Sequence, residues 1–437
     1  MNLSHLAAER AAAGRPVRVA LIGAGKFGSM FLSQAPTIAG LEVAVIADLD
    51  IERAKAQCRA VGWDGARISR TRFVGDGREA CSADVDVVVE ATGHPGAGIA
   101  HALAAIANKR HIVMVNVEAD VLAGPLLARK ARAAGIVYSM AYGDQPALVA
   151  EQVDWARAAG FEVVCAGKGT KYLPAYHTVT PDGVWDHYGL TAAEAKAAGM
   201  NAQMFNSFLD GTKSALEMAA ISNACGLDVP QDGLAFPPCG VDDLAHVLRP
   251  RGDGGQLEKS GVVEVVSSLE RDGRPVFRDL RWGVYTVLRA PNDYTAACFR
   301  QYGVPTDKSG RYAAMTKPFH LIGLELSVSI LSVALRGEPT GATREWRGDV
   351  VAVAKRALKA SEMLDGEGGF TVWGKLVPAA RSKARGAVPI GLAHGIKLTR
   401  DVAAGAVLTS ADVAWDERNP ALMVRREMEG TVEPHSA

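Results

Sequence analysis

Net charge is the first thing this chain lacks. Forty-eight basic residues balance forty-eight acidic ones over 437 positions. No basic field offers itself to nucleic acid and no polybasic face to anionic lipid, so any anion site has to be local. The six cysteines (Cys58, Cys81, Cys165, Cys225, Cys239 and Cys298) lack CxxC spacing. They suit packed thiols in a reducing, cytoplasmic setting better than zinc or disulfides. Ten histidines form no HExxH or HxH pair, and no zinc motif stands out. A long apolar run is missing too. The stretch 319–335 contains His320, Glu325 and three serines, too short and too polar to span a bilayer. At the N-terminus, Glu9 and Arg10 sit where a secretory leader needs apolar residues; MNLSHLAAERAAAG reads as an exposed amphipathic helix capped by Ser4. The expectation is a soluble homo-oligomer with a small-molecule partner, and no nucleic-acid or membrane partner.

What is present is an α/β pattern. VRVALIGAGKFG (17–28) is a β-rich strand running into Gly23-x-Gly25-x-x-Gly28 and then an amphipathic helix. Glycines at this spacing allow a tight turn, close backbone approach to a pyrophosphate and close helix–strand packing, with the phosphates on the helix N-terminus. A lone GxGxxG is weak, but here a second strand (LEVAVIAD, 41–48) follows on schedule. Asp48 ends it 20 residues after Gly28, the ribose-binding position. Further strands are expected at 84–93 and 111–118, with helices between them and a last strand near Tyr142. This alternation predicts a parallel, doubly wound sheet.

Candidate cofactor residues are Gly23, Gly25, Lys26, Phe27, Gly28, Asp48 and Arg53, with Ala91, Thr92, Gly93, Asn116 and Glu118 after two later strands. Asp48 would accept from a 2′-hydroxyl and repel a 2′-phosphate, favouring NAD; Arg53, one helical turn on, would instead neutralise that phosphate. Glu118 reads equally as a site carboxylate or a solvated loop acid.

From 161 the pattern changes. FEVVCAGKGTKYLPAY reads as a strand entering a glycine-rich loop that presents Lys168 and Lys171 without Walker spacing. Residues 190–230 read as two helices, the second placing Asp210, Lys213 and Glu217 on one face at i, i+3 and i+7. Strands follow around an RDGR hairpin turn. MTKPFHLIGLELS (315–327) then reads as the start of an apolar helix, with Lys317 and His320 in its first turn. Cations are disfavoured there by the macrodipole, so either an anion belongs at that spot or the lysine merely snorkels into water. A second helix is expected through VVAVAKRALKASEML, then a linker, KLVPAARSKARGAVPIG (375–391). In the tail, GIKLTRDVAAGAVLTSADVAW predicts two short strands around an AAG turn and a helical turn capped at Thr409–Ser410. Three domains result: a Rossmann domain (1–160), an α+β substrate domain (161–375), and the linker with a small tail domain (376–437).

The order GAGKFG, ATG, GKGTKYLP and LDGTKSALEMAAISNACG resembles homoserine dehydrogenases over about residues 1–230. Those enzymes carry an aspartate and, four residues on, a lysine; the corresponding positions here hold Lys213 and Glu217, with the charges swapped. LTRDVAAGAVLTSADV resembles the SAF (β-clip) domain. Together with GAGKFGSMF, KGTKY and TKPFHLIGLE, the chain resembles the type II (DXR-like) 1-deoxy-D-xylulose 5-phosphate reductoisomerase group. That resemblance implies isomerisation and reduction of a phosphorylated ketose with NADPH (NADH not excluded) and a divalent Mg or Mn ion. Lys168, Lys171, Lys213, Lys317 and His320 would then face the phosphosugar, and Glu118, Asp144, Asp210 and Glu217 are candidate metal ligands. A dehydrogenase or oxidoisomerase of sugar acids, or a homoserine-dehydrogenase-like oxidoreductase, is the alternative.

Overall fold

In the computed structural model, which describes residues 2–435, the buried β-branched runs of the N-terminal region form a six-stranded parallel sheet. Its strands are β1 (Val17–Ile22), β2 (Leu41–Ala47), β3 (Arg72–Val74), β4 (Val87–Glu90), β5 (His111–Met114) and β6 (Tyr138–Met140). The order β3-β2-β1-β4-β5-β6 is that of a doubly wound dinucleotide-binding sheet. Its helices are α1 (Leu3–Ala12), α2 (Lys26–Gln34), α3 (Ile51–Ala60), α4 (Gly65–Arg70), α5 (Gly77–Ser82), α6 (Pro95–Ala107), α7 (Val117–Ala133) and α8 (Gln145–Ala158). Asn2, not Ser4, precedes α1; Ser4 lies inside the helix, and no side chain caps it. The expected strand at 111–118 also stops early. β5 ends at Met114, and Asn116 caps α7 by accepting from the Ala119 N–H (3.0 Å), so Glu118 belongs to a helix's first turn.

The chain divides into two compact units. The first comprises the residues up to Glu151 with His320–Arg344 and Val424–Val432; the second comprises Gln152–Phe319, Glu345–Met423 and the residues from Glu433. In the second unit, β7 (Glu162–Thr170) lies between β8 (Val262–Ser267), which is parallel to it, and β9 (Val284–Arg289), which is antiparallel; β10 (Tyr312–Lys317) completes the sheet beside β9. Between β7 and β8 run α9 (Ala192–Ala197), α10 (Ala202–Leu209), α11 (Thr212–Cys225) and α12 (Leu244–Val247); α13 (Asp293–Gln301) joins β9 to β10.

Residues 190–230 therefore form three helices. Gly211, at φ +90°, breaks α10 from α11 and puts Asp210 in the break, so Asp210, Lys213 and Glu217 do not share one helix face. Between Thr212 and Cys225 only Lys213 escapes burial. A helix buried nearly all round needs cover on more than one side; α11 has β8 and β7 on one side and a two-stranded hairpin on the other.

That hairpin corrects the expected second helix. Gly348–Ala354 is β11, every residue buried, and it pairs with β13 (Val372–Pro378). A short apolar run cannot be assigned by periodicity alone, and here Val350, Val351 and Val353 favour the strand. The expected linker is also structured: it holds the end of β13 and α15 (Ala379–Arg385). The preceding α14 (Ser327–Arg336) belongs to the first unit, where Ile330, Leu331 and Val333 join the core made by Val19, Leu21, Val87 and Val89. The tail follows expectation more closely. β12 (Met363–Asp365), β14 (His394–Leu398) and β15 (Val413–Ala414) make a small sheet, and Thr409 and Asp412 form a reciprocal cap on the turn between them. A last helix, α16 (Pro420–Thr431), was not expected; from Val424 on it belongs to the first unit.

One buried carboxyl in the first unit has a measurable consequence. Asp120, 3% exposed, accepts the hydroxyls of Tyr138 (2.9 Å) and Thr343 (2.8 Å) and is pushed up to about 6 by desolvation. The folded state thus holds the proton more tightly than the unfolded chain. Asp120's contribution to stability is complete below the ordinary carboxylate range and is lost as pH rises through about 6. A gap of about two units corresponds to roughly 2–3 kcal/mol. Asp120→Asn should therefore gain on the wild type between pH 4 and pH 7.5, read by urea denaturation at each pH. A stability difference that stays constant across this range would show that Asp120 does not titrate as described.

Candidate functional site

The carboxyl ends of β1, β4 and β5 carry the glycine turn and its neighbours. The three motif glycines have separable duties. Gly23 sits at φ +97° with Ala91 O 2.7 Å from where a Cβ would lie, and a Cβ at Gly28 would meet Gly23 O at 2.3 Å. Both are demanded by the fold. Gly25 is different: its φ is −72°, and a Cβ there meets nothing within 4 Å. Gly25 is also the N-cap of α2 and offers no side-chain acceptor to the helix's first N–H groups. Open space above unpaired helix amides fits a pyrophosphate, with the exposed Lys26 and the half-buried Phe27 at the helix entry.

Asp48 is tied into this turn. One carboxylate oxygen accepts the Ala24 N–H (3.0 Å); the other accepts the Asp50 N–H (3.0 Å) and the Arg53 guanidinium (2.8 Å). These bonds outweigh burial and hold its pKa below the ordinary value. Arg53 is thus Asp48's counterion, with 57% of its side chain still exposed. Replacing Asp48 by Ser removes the charge, keeps one acceptor for Ala24 and frees Arg53. The variant should favour NADP over NAD by about tenfold more than the wild type, the worth of one charge-assisted contact. An unchanged ratio in fluorescence titrations with both dinucleotides would show that Asp48 does not face the ribose.

After β4, Ala91, Thr92 and Gly93 (φ +71°) lead to α6. Behind them Glu90, fully buried, accepts the Thr92 hydroxyl (2.5 Å) and pairs with His101 (3.1 Å). Asn116 donates to the His94 carbonyl (3.0 Å), fixing the two loops to each other. His320 also falls in this unit, its Nε2 3.1 Å from the Gln145 amide nitrogen just beyond β6. Downstream of His320 the chain is closely applied: a Cβ on Gly143 would meet Leu321 O at 2.6 Å, and one on Gly323 would meet Phe27 O at 2.6 Å. Residues 321–323 therefore run between the entry of α2 and the exit of β6.

In the second unit, one end of the mixed sheet gathers the lysines. GKGTK is strand, not loop: Lys168 lies inside β7 and Lys171 just past its end. The antiparallel register pairs Val284 of β9 with Lys168 on one side and Lys317 of β10 on the other. Residues opposite one another share a face, so Lys168 and Lys317 flank Val284 on the same side of the sheet. Lys317 therefore ends a strand and is not in a helix's first turn; α14 starts ten residues later. Lys317 meets no helix macrodipole, and its Nζ instead lies 5.6 Å from the Phe319 ring centroid.

Lys168, 4% exposed, forms an ion pair with Glu217 of α11, 2% exposed. The carboxylate–lysine pair that the swapped motif withholds from one helix is assembled here from a strand and a helix. A second buried pair lies nearby in sequence terms at only one end. Asp210 meets Lys355, just after β11, at 2.8 Å, and Lys355 also donates to the carbonyls of Val179 and Gly369 (both 2.7 Å). Burial pushes the Asp210 carboxyl up against the pull of Lys355 and Thr212.

Beside Asp210, His177 lies on the Trp373 ring (centroids 3.8 Å, 18° apart). Its Nδ1 is 2.7 Å from the Asp210 carbonyl, which can only accept, so Nδ1 carries the proton. Desolvation lowers the His177 pKa and favours the neutral ring, leaving Nε2 to accept from the Tyr172 hydroxyl at 3.0 Å. Sequence reasoning missed Lys355, His177, Tyr172 and Trp373; no local spacing links any of them to Asp210. Of the four candidate metal ligands, Glu118 and Asp144 lie in the first unit and Asp210 and Glu217 in the second. Among the described residues no three His, Cys, Asp or Glu side chains gather as a metal site. The lysine-paired Asp210 and Glu217 do not fit a divalent ion.

Residues 143–326 match the family described as oxidoreductase DRL, catalytic domain; the match takes in the whole mixed sheet. No curated protein matches the chain. Among solved structures, it is similar to a homoserine dehydrogenase from Thiobacillus denitrificans (19% identity, 49% of this chain and 50% of that one, TM-score 0.37). It is also similar to a probable dehydrogenase from Thermotoga maritima (14% identity, 74% and 90%, TM-score 0.40). A third is 1-deoxy-D-xylulose 5-phosphate reductoisomerase from Zymomonas mobilis in complex with NADPH (18% identity, 47% and 57%, TM-score 0.33). The chain spans about half the length of the homoserine dehydrogenase.

Proposed function

We propose that the chain is an NAD(P)-dependent oxidoreductase acting on the carbonyl–alcohol couple of a small anionic sugar derivative. In its finer form it is an NADPH-dependent reductoisomerase converting 1-deoxy-D-xylulose 5-phosphate to 2-C-methyl-D-erythritol 4-phosphate. The observation that carries the reading is the buried Lys168–Glu217 pair, level with Lys317 on one sheet face, inside the segment that matches an oxidoreductase catalytic domain. The glycine turn, with its open middle residue, supports the dinucleotide, and the sequence resemblance supports the phosphoketose.

A bound nicotinamide supplies or takes the hydride. Reduction of a carbonyl leaves an alkoxide that needs a proton, and oxidation of an alcohol needs one removed. Lys168 serves both directions: as the ammonium it donates to the alkoxide, and as the amine it takes the alcohol's proton, with Glu217 balancing the ammonium form in a dry site. Lys317 stabilises developing negative charge on the same face.

The alternative is oxidation of an unphosphorylated sugar acid. It is favoured by the engagement of Asp210 and Glu217 with lysines, since the reductoisomerase chemistry implied by the resemblance calls for a divalent ion. One assay separates them: NADPH oxidation with deoxyxylulose 5-phosphate, with and without Mg²⁺ or Mn²⁺, beside a sugar-acid panel with NAD⁺. Turnover in the first arm supports the reductoisomerase, turnover in the second the sugar-acid enzyme. Silence in both arms overturns the proposal.

A further inference from the structure

A second charge cluster sits at the same end of the mixed sheet and takes no part in the Lys168–Glu217 pair. Lys171 follows β7, and Arg281 lies in the tight turn that enters β9, closed by the Gly283 N–H to the Leu280 carbonyl (2.9 Å). The turn is laid directly on β7. A Cβ on Gly169 would meet Leu280 O at 2.0 Å and the Arg281 nitrogen at 3.0 Å. Only glycine allows this approach. Side chains two apart on a strand leave from the same face, so Lys171 emerges on the side where Arg281 is delivered.

Both cations lack a carboxylate partner among the described residues. The Lys171 ammonium donates to the His187 carbonyl. The Arg281 guanidinium lies over the Trp282 ring (4.7 Å to the centroid), while Asp279 is used on the Arg281 backbone N–H (2.8 Å). Like charges this close repel and are left uncompensated at a cost in stability; desolvation and the nearby guanidinium together lower the Lys171 pKa. Aromatic residues complete the surround. The Lys171 Nζ is 5.9 Å from the Tyr188 ring centroid, and the Tyr176 ring packs edge-on against His187 at 4.9 Å. Burial pushes the Tyr176 and Tyr188 hydroxyls up, against the opposing pull of the Arg281 charge.

We propose that Lys171 and Arg281, set side by side by Gly169, form the anchor for the phosphate group of a phosphate monoester. Two uncompensated cations suit a dianion better than a monoanion. Lys171 supplies a point charge, Arg281 a planar fork for two phosphate oxygens, and the Tyr176 hydroxyl a further donor. The anchor names the anionic end of the substrate proposed above, but it stands on its own geometry.

The test needs neither cofactor nor turnover. Lysines are reductively methylated with ¹³C-formaldehyde, and the Lys171 signal, assigned by its loss in Lys171→Arg, is followed by NMR. Glycerol 3-phosphate is added to one sample, glycerate to a second and sodium chloride of equal ionic strength to a third. The expected result is a saturable shift with glycerol 3-phosphate, at least tenfold weaker binding in Arg281→Gln, and substantial recovery in Arg281→Lys. Equal or tighter binding of glycerate would overturn the phosphate assignment. A shift reproduced by chloride, or one indifferent to Arg281→Gln, would overturn the site. A sugar-acid oxidoreductase would fail here yet turn over in the second arm of the assay above, so the two proposals fail separately.

Discussion

A Gly25→Val variant should melt with the wild type and bind no dinucleotide. The expectation rests on the division of labour among the three glycines. At Gly23 and Gly28 a side chain would strike backbone within the turn, and loss of binding there would be indistinguishable from loss of fold. At Gly25 a side chain enters empty space from an ordinary backbone conformation. Valine is β-branched, but the N-cap lies outside the helix, where the dihedrals are already extended. The added methyls occupy the space that a pyrophosphate needs to reach the α2 amides. Fluorescence titration with NADPH and NADH should show at least a hundredfold loss, with a melting temperature within about 2 °C. Retained binding in a folded variant would place the cofactor elsewhere.

The Lys168→Met/Glu217→Leu double variant should fold and lose turnover by about 10²- to 10⁴-fold, the usual worth of a positioned proton donor. Either single variant is ambiguous. Removing one partner strands the other's charge in a buried site, at about 3–5 kcal/mol, and the loss of activity could follow from unfolding. Replacing both with apolar side chains of similar size is often neutral or stabilising. The double variant therefore separates chemistry from packing. Turnover within tenfold of the wild type, on whichever substrate the assay identifies, would reduce the pair to a structural contact.

Much of the first unit was legible because its signals are local. Strand, glycine turn, helix and Asp48 follow one another within a few dozen residues, and the parallel order follows from the alternation. The second unit was legible in pieces. Lys168, Asp210 and Glu217 stood out as charges among apolar neighbours, but their partners did not: Asp210 finds Lys355 and Lys168 finds Glu217 only through tertiary pairing. Two local readings failed for opposite reasons. VVAVA reads as helix because a buried run has no visible period, and GKGTK as loop because glycine usually marks one. In β7 the glycines mark close backbone contact instead: a Cβ on Gly167 would meet Glu264 O at 1.8 Å. For Lys317 the premise of a helix N-terminus fails. Its helix is not there, yet the strand register sets it level with Lys168.

The first unit is also discontinuous, and this bears on the order in which the molecule can be made. A ribosome that has released Glu151 has delivered all six strands of the parallel sheet but not α14, whose Ile330, Leu331 and Val333 belong to that sheet's core. Nor has it delivered Arg425, 2% exposed, which donates to the Leu122 carbonyl at 3.2 Å. The nascent sheet must wait with an apolar face uncovered while the whole mixed sheet is synthesised. Closing so long a loop adds little to the entropic cost, because that cost grows only logarithmically, but such non-local closure is slow. The first unit is thus begun before the mixed sheet and completed after it, and a fragment ending at Glu151 would be a chaperone client rather than an independent module.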